Sequence, residues 1–213
     1  MPSKWNEYST DFSINNNILS YLPKHDCVKI IIPYVFADWL WSISRTMVRD
    51  TTYNFDVINI DTDNQWNFLN ADVIINLKKH YDLNYILELY DNKQIDFKYN
   101  ERMQKGLEIL KYKEQTSDVK ISNYIENNYR KFKLFTTCNH PTKFIFDEMV
   151  KQILNKLNLK YNDFDKLTYD IKIDLPGEWP SSSYDLSFHK FEYLQPINDN
   201  YIKLIIKHIY YNN

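Results

Sequence analysis

Glycine is almost absent from this chain, and its scarcity limits the loops that the chain can form. Of 213 residues only Gly106 and Gly177 are glycines. Phosphate-cradling loops need glycine wherever the backbone approaches a phosphate closely or adopts a positive φ. Neither a Walker-type loop nor a Gly-x-Gly-x-x-Gly fingerprint can be assembled from these two residues. We therefore do not expect a nucleotide to be bound by a glycine-rich turn.

Length and composition indicate one ordinary globular domain. Hydrophobic residues make up 44% of the chain and charged residues 25%, as in typical globular proteins. The net charge of −2 provides no overall field that would attract a nucleic acid. We therefore expect residues 1–213 to form a single domain that does not bind nucleic acid.

Cysteine usage and the N-terminal sequence predict a cytoplasmic location. The two cysteines, Cys27 and Cys138, follow no secretory signal pattern, so we expect both to be reduced thiols. The longest apolar stretch, residues 28–41, is interrupted by Lys29, Pro33 and Asp38 and is too short to cross a bilayer. We accordingly expect no membrane span.

Hydrophobic periodicity predicts several further elements. A β-branched run at residues 28–32 is typical of a buried strand, and residues 57–60 and 171–173 are weaker strand candidates. Apolar residues at helical spacing predict a helix, or two short ones, over residues 72–89. The same spacing predicts a helix from about residue 100 to 113.

The clearest local unit is a strand, turn and helix between residues 132 and 158. Residues 134–137 are typical of a strand, residues 138–142 of a tight connection, and the apolar stripe from Phe144 onward of a helix. Pro141 suits a first helical turn, with Asn139 or Thr142 as the cap. The predicted fold is an α/β domain with a small, mostly parallel sheet flanked by helices. In such folds ligands bind where strands end and helices begin.

His140 is the strongest catalytic candidate because the predicted connection places it at that position. It could act as a general base while helix N–H groups bind an anion or an oxyanion, or it could simply hydrogen-bond within the turn. Asn139 fits either an oxyanion donor or a helix cap. The Thr142 hydroxyl fits either a ligand contact or a cap, and Cys138 either a nucleophile or a buried small side chain.

A second polar cluster precedes this unit. Glu114 and Asp118 are four residues apart, so on a helix they would share a face, either as a carboxylate pair or as a solvated edge. Ser122 follows them. Arg130 could clamp a phosphate or carboxylate, or belong to an exposed basic run.

Aromatic residues follow the first predicted strand and are interspersed with charged residues. They could stack on a sugar or an adenine ring, or form the edge of the core. The residues are Tyr34, Phe36, Trp39 and Trp41, with Asp38, Arg45 and Arg49 among or after them. The five histidines show no metal-ligand spacing, so we expect no metal site.

The order of these features resembles the WcbI-like polysaccharide biosynthesis family. The resemblance covers most of the chain from about residue 18 onward. It rests on residues 31–36 (Ile-Ile-Pro-Tyr-Val-Phe), 110–114 (Leu-Lys-Tyr-Lys-Glu), 118–125 (Asp-Val-Lys-Ile-Ser-Asn-Tyr-Ile), 134–142 (Leu-Phe-Thr-Thr-Cys-Asn-His-Pro-Thr) and the region from Pro196 to residues 204–206.

This resemblance implies a protein that binds coenzyme A or acetyl-coenzyme A and acetylates a hydroxyl of a sugar or polysaccharide precursor. By analogy the active site would contain His140, Asn139 and Thr142. Glu114, Ser122 and Arg130 would lie nearby. Tyr34, Trp39 and Arg45 remain candidates for binding substrate or cofactor. The resemblance also allows a homodimer.

One departure from the family leaves several functions open. Members begin with a strand ending in Gly-Asn-Cys-Gln, a motif that this sequence lacks and to which neither Cys27 nor Cys138 belongs. The chain is then either an acetyltransferase that uses His140 without a covalent intermediate, or a non-catalytic ligand-binding or assembly module of a larger carbohydrate-modifying protein. A third alternative, an interaction protein, predicts that the aromatic residues between Tyr34 and Trp41 form one exposed patch.

Overall fold

The computed structural model describes residues 28–47, 66–160, 179–193, 195 and 197–212. By its internal contacts the chain divides into two units, Met1–Ile30 and Ile31–Asn213. In the first unit only residues 28–30 are described, and they belong to no helix or strand. The elements below all belong to the second unit.

The second unit is rich in helices and has two small sheets within the described residues. A short 3-10 helix, Asp38–Leu40, comes first. The strands are β1 (Ser44–Met47), β2 (Trp66–Leu69), β3 (Phe135–Thr137) and β4 (His140–Pro141). The helices are α1 (Asp72–Lys78), α2 (Leu83–Asp91), α3 (Tyr99–Lys113), α4 (Ser122–Asn128), α5 (Lys143–Lys156), α6 (Ser183–His189) and α7 (Asp199–Asn212).

The prediction of a mostly parallel sheet is wrong for these strands. β1 pairs with β2 and β3 with β4, and both pairs are antiparallel. The physical reason is clear for β3 and β4, because only Cys138 and Asn139 connect them. A two-residue connection can only reverse the chain, whereas parallel neighbours need a long crossover. The one parallel contact described is an isolated bridge between Ser181 and Ile197.

The predicted helices are confirmed. Residues 72–89 form two helices, α1 and α2, and the predicted helix near residues 100–113 is α3. The strand predicted at residues 28–32 is wrong, because Ile31 bonds instead to a loop. Its N–H donates to a carboxylate oxygen of Asp118 at 2.7 Å, and its carbonyl accepts from the Asp118 N–H at 2.8 Å. The candidates at residues 57–60 and 171–173 lie outside the described residues.

The predicted strand, turn and helix are confirmed, with a shift in detail. Pro141 lies in β4 rather than in the first turn of α5, which begins at Lys143. The buried residues of α5 are Ile145 and Met149, whereas Phe146, predicted to be part of the apolar stripe, is 45% exposed.

One cluster of the apolar core is formed by α1, α2, the start of α3, and α6 and α7. Its fully enclosed members include Ile74, Ile86, Ile202, Ile206 and Ile209. None of the helices in the described part of the chain is long and apolar enough to span a membrane.

Trp39 packs against the chain's only described glycine. Its side chain is 1% exposed and meets the ring of Tyr129 edge-on, with centroids 5.0 Å apart. A Cβ added to Gly106 would lie 2.8 Å from Cδ1 of Trp39. Gly106, in the middle of α3, therefore makes room for the indole.

We expect Gly106→Ala to destabilise the protein, although alanine ordinarily stabilises a helix interior by about 1 kcal/mol relative to glycine. Overpacking a core costs about 1–3 kcal/mol, so after the gain in helix propensity urea denaturation should show a net loss of up to roughly 2 kcal/mol. Lys105→Ala, at an exposed position of the same helix, should leave stability nearly unchanged. A Gly106→Ala protein that is about 1 kcal/mol more stable than the wild type would show that Trp39 shifts without cost.

Asp185 joins three distant segments inside the protein. The residue is completely buried. One carboxylate oxygen accepts from the Ser42 N–H at 2.5 Å and from the Tyr99 hydroxyl at 2.6 Å, and the other accepts from the Ser182 N–H at 2.6 Å. Ser182 also caps α6 by accepting from the Asp185 N–H at 3.0 Å, so the two residues form a capping box. Burial raises the pKa of Asp185 to about 6, and these donors oppose the rise.

Arg102 connects α3 to the segment that contains the 3-10 helix. Its Nη2 donates to the carbonyls of Asp38 and Trp41, both at 2.7 Å, and its Nη1 to those of Ser42 and Phe97 at 3.3 and 3.2 Å. Burial lowers the pKa of this guanidinium.

His189 lies fully buried among aromatic rings. It stacks on Phe191 and meets Phe188, Tyr99 and Tyr129 edge-on, with centroids 4.9 to 5.7 Å away. Within the described part of the chain neither ring nitrogen has a hydrogen-bond partner. Burial therefore lowers its pKa to about 3, and the nearby guanidinium of Arg102 also favours the neutral form.

His189 should make the fold sensitive to acid. In the unfolded chain a histidine takes up a proton near pH 6.5, but buried His189 stays neutral down to about pH 3, so its contribution to stability is lost as pH falls below 6.5. Asp185 acts in the opposite direction between about pH 6 and pH 3.8, because its folded pKa is raised.

Asp185 is present in both the wild type and His189→Phe, so its contribution to the pH dependence of unfolding cancels when the two proteins are compared. We expect the variant's advantage in unfolding free energy to grow by about 1 kcal/mol per pH unit from pH 6.5 downward. His80→Gln, at an exposed histidine, serves as the matched control. Parallel pH curves for the wild type and His189→Phe would contradict the assignment.

Candidate functional site

The β3–β4 hairpin presents His140 at the surface. His140 is exposed, whereas Thr137 at the end of β3 is only 4% exposed. The Thr137 hydroxyl is in close hydrogen-bond contact with Nδ1 of His140 and also lies 3.1 Å from Oδ1 of Asn139. The tight turn thus groups Thr137, Asn139 and His140, and both His140 and Asn139 are residues that the sequence predicted for the site.

The hairpin is held in place by two backbone bonds to other segments. The Ala37 N–H donates to the carbonyl of Cys138 at 2.7 Å, and the Trp179 N–H donates to that of Thr136 at 3.0 Å. His140 therefore lies on a hairpin whose backbone is hydrogen-bonded to two other segments.

Cys138 lies in the same turn but does not suit nucleophilic chemistry. Its side chain is buried, and burial together with the nearby Asp38 carboxylate raises the pKa of its thiol. A nucleophilic cysteine needs the opposite shift. The structure favours the buried small side chain among the two roles considered for Cys138.

Thr142 occupies the N-cap position of α5 but does not cap it with its side chain. Its hydroxyl donates instead to the carbonyl of Lys133 at 2.7 Å, and its N–H donates to that of Leu134 at 2.8 Å. The start of α5 therefore has no side-chain cap and lies directly after the His140 hairpin.

The basic run at residues 130–133 lies against this helix start. The contacts from Thr142 to Lys133 and Leu134 join the two segments, and the rings of Phe132 and Phe144 stack with centroids 4.9 Å apart. Exposed Arg130 donates through Nε to the Tyr129 hydroxyl at 2.9 Å and lies over that ring. The backbone of Lys133 and Leu134 and the ring of Phe132 thus contact the start of α5, whereas the guanidinium of Arg130 contacts Tyr129.

Glu114 and Ser122 form a buried polar contact of another kind. Glu114 is 5% exposed and follows α3. One of its oxygens accepts from the N–H groups of Ile121 and Ser122 at 2.5 and 2.6 Å, and the other accepts from the Ser122 hydroxyl at 2.5 Å. The carboxylate thereby supplies the cap for α4 that Ile121, at the N-cap position, lacks.

Glu114 and Asp118 do not share a helix face, because α3 ends at Lys113 and Asp118 lies in the following loop. Asp118 forms an ion pair with Lys156 of α5 and accepts from the Ile31 N–H. The ammonium of Lys156 lowers the pKa of Asp118. Each carboxylate thus has its own structural partners.

The aromatic candidates separate into buried and exposed residues. Trp39 and Trp41 are 1% and 2% exposed, whereas Tyr34 is 61% exposed with the ammonium of Lys113 over its ring. The single exposed patch that an interaction protein would need is therefore not formed by the two tryptophans. Arg45 lies in β1, with its side chain outside the described residues, and Arg49 lies outside them altogether.

A cavity of about 400 Å³ lies elsewhere, at the start of α3. Its lining combines aromatic side chains with two lysines and two carboxylates. It includes Lys93, Asp96, Lys98, Asn100, Glu101, Tyr184 and Phe188. None of the site residues predicted from the sequence lines this cavity. Among the described residues no group of three or more His, Cys, Asp and Glu side chains could hold a metal ion.

Sequence reasoning missed Thr137 and Asp185 as organising residues. Asp185 had a recognisable signal, since Ser182 and Asp185 have the spacing of a capping box. Thr137 had none, because its role depends on the hairpin that brings its hydroxyl to Asn139 and His140.

The described elements define a helix-rich mixed α/β protein with a histidine displayed on a short hairpin. The family model of the polysaccharide biosynthesis enzyme WcbI matches residues 64–162, slightly less than half of the chain. The match includes α1 to α5 and the hairpin, so the predicted resemblance is confirmed over this range. No curated protein and no solved structure matches the chain significantly.

We expect Glu114→Gln to destabilise the protein, because the amide oxygen can still accept from both backbone N–H groups but lacks the charge that strengthens these bonds, and the amide NH2 cannot accept from the Ser122 hydroxyl. Hydrogen bonds to charged groups contribute about 1.5–3 kcal/mol and neutral ones about 0.5–1.5 kcal/mol, so urea denaturation should show a loss of roughly 1–2 kcal/mol. Glu126→Gln is the matched control: its exposed ion pair with Lys111 is worth less than about 1 kcal/mol. Equal stability of Glu114→Gln and the wild type would contradict the capping role.

Proposed function

We propose that this chain is an acetyl-coenzyme A-dependent O-acetyltransferase that acts on a sugar hydroxyl in polysaccharide biosynthesis. The observation that carries the proposal is the exposed His140, held by Thr137 on a hairpin next to the start of α5. The match of the WcbI family model over this region supports a role in polysaccharide biosynthesis. The imidazole of His140 and the N–H groups at the start of α5 support acetyl transfer as the reaction.

The basic run at residues 130–133 suits a cofactor that carries phosphates. Arg130 and Lys131 are exposed cations of this run. This arrangement needs no glycine-rich loop, in keeping with the scarcity of glycine. Arg130 would bind the phosphates of acetyl-coenzyme A, which supplies the activated acetyl group when bound.

His140 would act as a general base on the acceptor. Its imidazole would take the proton as a sugar hydroxyl attacks the acetyl carbonyl, and would give that proton to the coenzyme A thiolate as the carbon–sulfur bond breaks, leaving the O-acetyl sugar and the free thiol. The N–H groups at the start of α5 would stabilise negative charge that develops on the acyl oxygen. This scheme requires no covalent enzyme intermediate, which agrees with the raised pKa of the Cys138 thiol.

A second candidate function is ligand binding without turnover, as part of a larger carbohydrate-modifying protein. The cavity at the start of α3 favours it, because aromatic side chains with mixed charged groups suit a neutral polyhydroxylated ligand. Buried Glu114 and Ser122 also fit a module that keeps its scaffold without catalysing a reaction.

We expect His140→Ala to fold normally, because His140 is exposed, and to lose at least about 10²-fold in acetyl transfer. The assay measures thiol release from acetyl-coenzyme A with a panel of sugar acceptors. His80→Ala, at another exposed histidine, is the matched control and should retain full turnover. Arg130→Ala should raise the KM for acetyl-coenzyme A and leave kcat nearly unchanged.

Three outcomes separate the candidate functions. Turnover that is unchanged in His140→Ala would overturn the catalytic assignment. Calorimetric binding of a sugar or coenzyme A without any turnover in the wild type would favour the binding module. Absence of both binding and turnover would exclude both candidates for this chain.

A further inference from the structure

The Thr137 hydroxyl lies between two groups that compete for its single proton. The side chain is buried, with Oδ1 of Asn139 at 3.1 Å and Nδ1 of His140 in close contact. A hydroxyl donates one hydrogen bond and accepts up to two. Thr137 can therefore donate to Asn139 or to His140, but not to both.

The amide oxygen of Asn139 decides between these arrangements. It can only accept, and the Cys138 Sγ–H also donates to it, with Sγ 3.8 Å from Oδ1. If Thr137 donated to His140 instead, two oxygens would face each other at 3.1 Å without a proton between them.

Only one order of donors and acceptors gives Thr137, Asn139 and His140 a hydrogen-bond partner each. Nδ1–H of His140 donates to the Thr137 hydroxyl, which in turn donates to Oδ1 of Asn139. The hydrogen bond at one ring nitrogen sets which nitrogen of a neutral imidazole carries the proton. Nε2 of His140 then has a free lone pair.

We propose that Thr137 is a positioning residue that, together with Asn139, holds neutral His140 in the tautomer whose Nε2 is unprotonated. The tautomer is inferred only from hydrogen bonds within this chain. Its role in catalysis rests on the proposed acetyl transfer. A base that acts through Nε2 would then be ready in the resting protein, without a prior proton shift.

The tautomer can be measured without any ligand. Long-range ¹H–¹⁵N spectra of ¹⁵N-histidine-labelled protein in alkaline buffer distinguish a protonated ring nitrogen from an unprotonated one. In the wild type the His140 resonances, assigned by their loss in His140→Ala, should show a protonated Nδ1 and an unprotonated Nε2. A wild type in which Nε2 carries the proton would overturn the proposal.

Two variants test the role of Thr137. Thr137→Val keeps the shape of the side chain but removes the hydroxyl, so the Nδ1–H preference should be lost and Nε2–H should become the main form. Thr137→Ser keeps the hydroxyl and should keep the wild-type pattern. An unchanged spectrum in Thr137→Val would overturn the proposal.

Asn139→Ala provides a test that does not disturb a buried side chain, because Asn139 is exposed. Without Oδ1 the Thr137 hydroxyl is free to donate to Nδ1, so the proton should move to Nε2. We call the hydrogen-bond chain from His140 through Thr137 to Asn139 the relay. An unchanged tautomer in Asn139→Ala would show that Asn139 does not belong to the relay, even if Thr137→Val proved too unstable to measure.

Activity distinguishes this inference from the proposed function. If acetyl transfer occurs, Thr137→Val should lower kcat about tenfold to hundredfold, less than the full ~10²–10⁴-fold that a general base contributes, and leave KM unchanged. Thr137→Ser should recover most of that loss. If no transfer is found but the wild-type tautomer is as described, the proposed function fails and the relay stands.

Discussion

The fold depends on a buried carboxylate that accepts hydrogen bonds from three separate parts of the chain. Asp185 binds the backbone of Ser42, the hydroxyl of Tyr99 and the backbone of Ser182. Burying a charge is costly unless each of its oxygens finds donors, and here each does. Because the donors lie far apart in sequence, the carboxylate is satisfied only when α3, α6 and the segment after the 3-10 helix are assembled together. The guanidinium of Arg102 fixes that same segment to α3 through three of its carbonyls, those of Asp38, Trp41 and Ser42.

This assembly positions the candidate site indirectly. Ala37, just before the 3-10 helix, and Trp179, just before the segment that holds Asp185, each donate to the β3–β4 hairpin. The position of the hairpin therefore depends on the same segments that Asp185 and Arg102 hold together. His140 is accordingly an exposed side chain on a hairpin that two other segments hold in place.

The two polar groups that were first predicted to form one site have different roles. Glu114 and Ser122 cap a helix and are buried, whereas Asn139 and His140 are exposed on the hairpin. From sequence alone both groups consist of acids, amides and hydroxyls near predicted helix ends, so both resemble sites. Burial distinguishes them, because a carboxylate that already serves three internal donors is engaged in holding its own loop.

The sequence by itself determined the local elements. Helical spacing of apolar residues was enough to predict α1 to α3 and α5, and the short polar segment at residues 138–142 was enough to predict the turn that carries His140. These features depend on neighbours within a few residues, which the sequence contains directly. Only the tertiary structure decided that β1 pairs with β2 in an antiparallel sheet and that Ile31 bonds to a loop rather than to a sheet. Those outcomes depend on which donors and acceptors from distant segments meet, and that is set by the packing of the whole second unit.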